Sequence, residues 1–352
     1  MRSILRLESG RILIKRYVPL AVLLAGVLIG FFLRDTLAKH RTGSPLHTEL
    51  REAGFRYVSP LLECESSRDA DENIELKPLE QRIREAIDEQ KKRGWLNSES
   101  VYFRRLSSGK WLSVNPAVFY YPASLMKVPV LITVLKQAEA DPHLLGVKIR
   151  FSGKTELSGM SPYFTPSKKL EAGRSYTIDE LLHRMIVYSD NDALALLVEH
   201  VGKPLVSRTF EELGLLDPFA ERYGENGYNL TVDQYVIFLR VLYNASYLSK
   251  EMSERALDLL TKIEFRQGLV EGVPSEIPVA HKFGERIWEN ISPGKELHDC
   301  GIIYYPGRPY LLCIMTRGDS FEYLDDSIKE TSRVVYEELD RAWKVTGRKG
   351  LP

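Results

Sequence analysis

The chain has 352 residues, 44% of them apolar and 27% charged, and its 48 Lys and Arg balance 48 Asp and Glu. That composition belongs to an ordinary globular protein and excludes a disordered or fibrous one. A formal net charge of zero, with no long basic block beyond the N-terminus, leaves no electrostatic footprint for nucleic acid, so that class of partner is set aside.

The first element along the chain is an apolar run, YVPLAVLLAGVLIGFFL, from Tyr17 to Leu33. It carries no charge, lies at the lower limit for crossing a bilayer and is longer than the usual core of a signal peptide. Arg2, Arg6, Arg11, Lys15 and Arg16 precede it and Arg34, Lys39 and Arg41 follow, a bias that favours an inside N-terminus. No small-x-small cleavage site follows. The run reads as an uncleaved signal anchor of a single-pass membrane protein, with residues 1–16 as a cytoplasmic tail and the remainder outside the cytoplasm. A cleaved signal peptide is the alternative. Gly26 and Gly30 form a G-x-x-x-G that could join two such helices in a weak dimer.

Residues 34–77 have no sustained period and are rich in charge and turn formers, so they read as an extracytoplasmic tether with room for one docked turn. The folded domain is expected over 78–352. PLEQRIREAIDEQKKRG opens on Pro78, spaces Leu79, Ile83 and Ile87 by four and closes on Gly94, the marks of an amphipathic helix. SVYFRRL, the polar turn SSGK and WLSVN read as a hairpin. A helical region follows from Ser124 to about Gly268. In it Thr177 and Glu180 of TIDELLHRMIVY are spaced as a capping box, and LTVDQYVIFLRVLYNAS is a strongly apolar helix. PVAHKFGE, CGIIYY, the turn PGRP and YLLCIMTR then read as three strands, closed by a helix around SIKETSRVVYEELDRAWKV. The order predicts an α+β fold of two lobes: an antiparallel sheet shared by N- and C-terminal strands, flanked by helices, with an all-helical lobe inserted.

The three cysteines, Cys64, Cys300 and Cys313, have spacings that suit no metal site. A hairpin turning at PGRP sets Cys313 opposite Ile302 with Cys300 diagonal to it, too far for an unstrained bond. No disulfide is expected. Cys64 lies too far past the apolar run to be a lipid-attachment cysteine.

Three short motifs carry chemistry. FYYPASLMKVPVLITVLKQ places Ser124 and Lys127 one helical turn apart. A serine hydroxyl needs a base, and an amine whose pKa falls through burial can serve as one. The S-x-x-K pattern occurs three times, at Ser107, Ser124 and Ser292, but two lie in polar, glycine-containing turns where serine and lysine are solvated. Ser124 alone heads a helix apolar almost all round, so Lys127 must be buried and therefore paired or functional. At the start of a helix, Ser124 also sits where backbone N–H groups and the dipole favour developing negative charge. In VYSDNDALALL, Ser189, Asp190 and Asn191 fall between two helices. Either they simply cap the second one, or Ser189 passes a proton to a leaving amine while Asn191 holds a substrate carbonyl. PVAHKFGER delivers Lys282 to the end of an apolar strand, with Phe283 and Gly284 behind it. Lys282 could be a solvated edge residue or the cationic wall of a site, and Gly284 would let a substrate backbone lie close.

In this order, S-x-x-K, S-D-N and K-x-G resemble the motif set of the penicillin-recognising serine enzymes, the class A β-lactamases and the penicillin-binding D,D-peptidases. The resemblance covers nearly all of residues 78–350. It implies Ser124 as acylated nucleophile, Lys127 as its base or proton relay, Ser189 as proton shuttle, Asn191 as a contact to substrate and Lys127, and Lys282 as carboxylate anchor. The backbone N–H of Ser124 would form part of the oxyanion hole. It also implies a β-lactam or D-alanyl peptide substrate and no cofactor or metal, and makes the membrane read from residues 17–33 a bacterial one.

Two departures stand out. Class A enzymes deacylate with a glutamate followed four residues later by asparagine; Glu225 and Asn229 have that spacing, but the next helix is due immediately at LTVDQ, which leaves no room for the rest of such a loop. The alternative makes Glu225 a solvated loop residue and Asn229 a helix cap. Phe283 replaces the family's Thr or Ser and so lacks a hydroxyl for the substrate carboxylate. Three readings follow: a β-lactamase, a D,D-peptidase, or an inactive membrane-tethered module that binds cell wall or a partner. The absence of H-E-x-x-H, G-x-S-x-G and a glycine-rich phosphate loop leaves other chemistries without support.

Overall fold

The computed structural model describes residues 49–51, 54–64, 75–160, 163–220, 227–289 and 292–347. In chain order, β1 (Glu49–Arg51) and β2 (Leu61–Cys64) precede α1 (Lys77–Lys92), β3 (Ser98–Arg105) and β4 (Trp111–Val114). A tight turn, Ala123–Met126, leads into α2 (Lys127–Ala140), followed by β5 (Lys148–Arg150), β6 (Ser175–Thr177), α3 (Ile178–Val187), α4 (Asn191–Val201) and α5 (Lys203–Glu212). Then come α6 (Val232–Tyr243), α7 (Lys250–Thr261), β7 (Val279–Ile287), β8 (Lys295–Ile303), β9 (Tyr310–Gly318) and α8 (Phe321–Gly347).

Period-two alternation in the strands sorts the core into two layers. Tyr102, Ala280, Cys300, Ile302, Leu311, Cys313 and Met315 point to one face of the sheet and pack on the helices of the inserted lobe. Val101, Phe103, Val279, Ile303, Leu312 and Ile314 point to the other, against Leu79, Ile83 and Ile87 of α1 and Leu324, Ile328 and Val335 of α8. The sheet is antiparallel in the order β4-β3-β9-β8-β7, so strands from both ends of the chain share it and β7 is an edge. The expected α+β architecture with flanking helices is thus present.

Three local expectations need correction. The inserted lobe is not all helical, because β5 and β6 pair as a short ribbon within it. Three-residue strands are too short to show a period. The C-terminal hairpin begins its turn two residues earlier than PGRP alone implies: Ile303, not Tyr305, faces Tyr310. Tyr304 and Tyr305 leave the ladder because their rings have better partners, Tyr57 for the first and Trp343 for the second. That two-residue shift sets Cys300 directly opposite Cys313, and the two form a disulfide. Asn229 is also not the cap of α6; Thr231 is, in a capping box with Gln234.

The segment between β1 and β2 is bound to the inserted lobe. Glu254 of α7 accepts hydrogen bonds from the backbone N–H groups of Arg56, Tyr57 and Val58, and Tyr57 and Val58 are buried. Among the described residues no helix is long and apolar enough to cross a membrane. The span expected at 17–33, with Gly26 and Gly30, lies outside them, as does Glu225.

Candidate active site

The turn that carries Ser124 is held from three sides. Ala123, just before Ser124, has φ of 48°, a left-handed conformation unfavourable for a residue with a Cβ and tolerated only where surroundings enforce it. From the sheet, the carboxylate of Glu296 accepts the N–H of Tyr121 at 3.1 Å and is held by Arg317 at 2.6 and 2.8 Å. His298 Nδ1 accepts from the N–H of Thr316, so its Nε2–H donates to the carbonyl of Tyr121 at 3.1 Å. From α6, the hydroxyl of Tyr235 donates to the carbonyl of Leu125. From β7, Gly284 abuts the turn so closely that a Cβ there would lie 2.6 Å from the carbonyl oxygen of Pro122. Glycine is needed at this position for the approach of strand to turn.

Lys127, fully buried in the first turn of α2, is the hub. Its Nζ lies 2.7 Å from Ser124 Oγ, 2.6 Å from Asn191 Oδ1, 2.8 Å from the carbonyl oxygen of Ser189 and 3.1 Å from Ser189 Oγ. Asn191 donates its own Nδ2–H to the carbonyl of Met160 at 2.9 Å, which turns Oδ1 toward the lysine. Asn191 Oδ1 and the Ser189 carbonyl can only accept. They engage the two hydrogens of a neutral amine and leave its lone pair for the Ser124 hydroxyl. Burial lowers the Lys127 pKa to about 7, with Asp190 and Glu285 opposing the shift.

Ser189 stands between two lysines. Its φ of 54° is again left-handed, while the neighbouring Asp190 caps α4 by accepting from the N–H of Ala193. The cap falls to Asp190 and leaves the Ser189 hydroxyl to the two lysines. Lys282, also fully buried, brings Nζ to 3.1 Å from Ser189 Oγ and donates to the carbonyl of Phe283 at 2.9 Å. Burial and the nearby Lys127 push the Lys282 pKa well below the ordinary lysine range. Two buried amines this close cannot both be charged cheaply.

The Phe283 ring stacks on Phe265 at 4.2 Å and meets Phe164 edge-on at 5.1 Å, in the same core layer as Ala280 and Cys300. Next to it, Glu285 accepts the N–H of Phe164 at 2.9 Å and so ties the segment after β5 to the sheet edge. Asn229, by contrast, donates Nδ2–H to the carbonyl of Gly227.

The structure therefore brings Ser124, Lys127, Ser189, Asn191, Lys282 and Gly284 together. Sequence reasoning missed Tyr121, Tyr235, Glu285, Glu296, His298 and Arg317. Only long-range pairing reveals them, and no local signal marks it.

The fold is that of a serine hydrolase, and an amine rather than a histidine lies beside Ser124. The sequence profile of the Beta-lactamase enzyme family matches residues 78–339, and the chain belongs to that family. Among solved structures, PBP-A is similar over 76% of this chain and 97% of its own, at 20% identity and a TM-score of 0.61. The TLA-3 extended-spectrum β-lactamase is similar over 74% and 98%, at 19% identity and a TM-score of 0.62. A β-lactamase from Sphaerobacter thermophilus is similar over 72% and 95%, at 19% identity and a TM-score of 0.58. At these identities the likeness is one of fold. A comparison with curated protein sequences finds no match.

Proposed function

We propose that the chain opens the amide of β-lactams by forming an acyl-enzyme on Ser124. The observation that carries this reading is the buried Lys127 amine, 2.7 Å from Ser124 Oγ and with a pKa of about 7. Neutral Lys127 takes the Ser124 proton as Oγ attacks the carbonyl carbon, and the N–H of Ser124 stabilises the oxyanion. Collapse of the tetrahedral adduct breaks the C–N bond. The Ser189 hydroxyl gives its proton to the leaving nitrogen and is reprotonated from Lys127 or Lys282. Water then hydrolyses the ester.

A second reading, a D,D-peptidase that acts on D-alanyl peptides and holds penicillin as a lasting adduct, shares the first half-reaction. It draws support from the short approach to α6, where Asn229 lies two residues before the Thr231 cap. It also draws on the fold shared with PBP-A, a variant of which forms an acyl-enzyme with penicillin G. Intact-mass measurement over time with benzylpenicillin separates the two. An adduct absent in Ser124→Ala that decays in seconds to minutes means β-lactamase, and one that persists for hours means peptidase. No adduct with benzylpenicillin or with a D-Ala-D-Ala peptide would refute both and leave an inactive binding module.

The proposal includes an extracytoplasmic position at the bacterial membrane, with residues 17–33 as anchor. The charge-free run and the Cys300–Cys313 disulfide support it, since such bonds persist in oxidising compartments. External protease should cleave the domain in intact spheroplasts; full protection there would place it in the cytoplasm instead.

A further inference from the structure

Past the proposed nucleophile, β7 presents one more residue on the same side as Lys282 and Gly284. Arg286 lies two residues beyond Gly284, about 7 Å along the strand, and its guanidinium is held between two rings, 4.3 Å from the centroid of Tyr121 and 4.5 Å from that of Trp288. The rings meet edge-to-face at 5.8 Å. Tyr121 is three residues before Ser124, and its backbone is fixed by Glu296 and His298. The slot that orients Arg286 is therefore part of the rigid frame that orients the nucleophile.

Among the described residues Arg286 forms no ion pair, and its enclosed Nε has no hydrogen-bond partner. Arg317, by contrast, is neutralised by Glu296. Stacking on aromatic faces holds a guanidinium in place while leaving its in-plane N–H groups unoccupied, and that fork matches a carboxylate. The two buried lysines of the site are unsuited to that task. Lys127 and Lys282 are fully buried and hydrogen-bonded within the protein. Phe283 offers no hydroxyl, and Glu285 adds a carboxylate beside Lys282.

We propose that Arg286 is a specificity-determining residue that binds a carboxylate on the acyl side of the substrate, so that the preferred acyl donors carry an anionic acyl side chain. This rests on Ser124 as the acylated residue and Ser189 as proton donor to the leaving nitrogen: Lys282, 3.1 Å from Ser189 Oγ, marks the leaving-group side, and Arg286, four residues further along β7, lies toward the acyl side.

Benzylpenicillin and α-carboxybenzylpenicillin differ by one carboxylate on the acyl side chain and form a matched pair of probes. With the purified full chain, the second-order acylation rate should favour the carboxylated compound. Arg286→Gln should lower that preference about tenfold or more, the scale of a charge-assisted contact, while changing the benzylpenicillin rate less than about threefold, and Arg286→Lys should keep part of it. An equal fall for both compounds would mark Arg286 as merely structural and overturn the proposal, as would an unchanged ratio. Equilibrium binding of the same pair to Ser124→Ala, with and without Arg286→Gln, keeps the two claims apart. An Arg286-dependent preference there without any acylation of the parent would overturn the acyl-enzyme reading alone. Equal binding of the pair would overturn the role of Arg286.

Discussion

Replacing Lys127 by methionine should slow acylation of Ser124 by roughly 10²–10⁴-fold, the span of a positioned general base. In the parent protein the same rate should rise with pH through about 7 and then level off. The sign follows from the direction of the shift. Burial lowers the Lys127 pKa from the ordinary lysine value to about 7, so below that pH the amine is protonated and has no lone pair for the Ser124 hydroxyl. Above it, the neutral form predominates and its two hydrogens stay on Asn191 Oδ1 and the Ser189 carbonyl. Because Lys282 also titrates low and senses Lys127, the inflection belongs to the pair rather than to one residue. Initial rates of adduct formation with benzylpenicillin from about pH 5 to 9 test this. A flat profile across neutrality would remove Lys127 from the role of base.

Phe283→Thr should destabilise the fold by about 3 kcal/mol or more, the usual scale for emptying a buried aromatic site, and acylation by benzylpenicillin should not improve. The motif comparison alone suggests the opposite, since threonine would supply a missing hydroxyl to a substrate carboxylate. Packing decides the matter. The Phe283 ring is 1% exposed, stacked on Phe265 and capped by Phe164, with the Lys282 amine 3.8 Å from its centroid. Threonine there would leave a void among aromatic rings and a hydroxyl without a ready partner. Thermal denaturation with parallel acylation kinetics is the check. A variant that melts with the parent and acylates faster would show that Phe283 only stands in for a substrate contact.

Signals confined to a few neighbouring residues were legible in the sequence. The four-residue spacing of Leu79, Ile83 and Ile87, the Thr177–Glu180 capping box and the apolar surroundings of Lys127 all reappear in the fold. Two of the three motifs, at Ser124 and Ser189, sit at element boundaries that their own sequence marks; Lys282 and Gly284, expected at a strand end, lie instead inside β7, which continues to Ile287. What stayed hidden depends on partners far away in the chain. The β8–β9 register, and with it the disulfide, turns on Tyr304 and Tyr305 preferring Tyr57 and Trp343 to the ladder. Gly284 is required by the carbonyl of Pro122, and the positions of Glu296 and His298 acquire meaning only once β8 lies beside Tyr121.

The clasp of Glu254 on the backbone of residues 56–58 redraws where the cooperative unit begins. Helix α1 looks like the natural first residue of the domain, yet a chain cut there would lose Tyr57 and Val58 from the buried layer of the inserted lobe and leave a carboxylate facing three missing amides. Residues 56–58 are thus tied both to α7 and to the Tyr304 corner of the sheet.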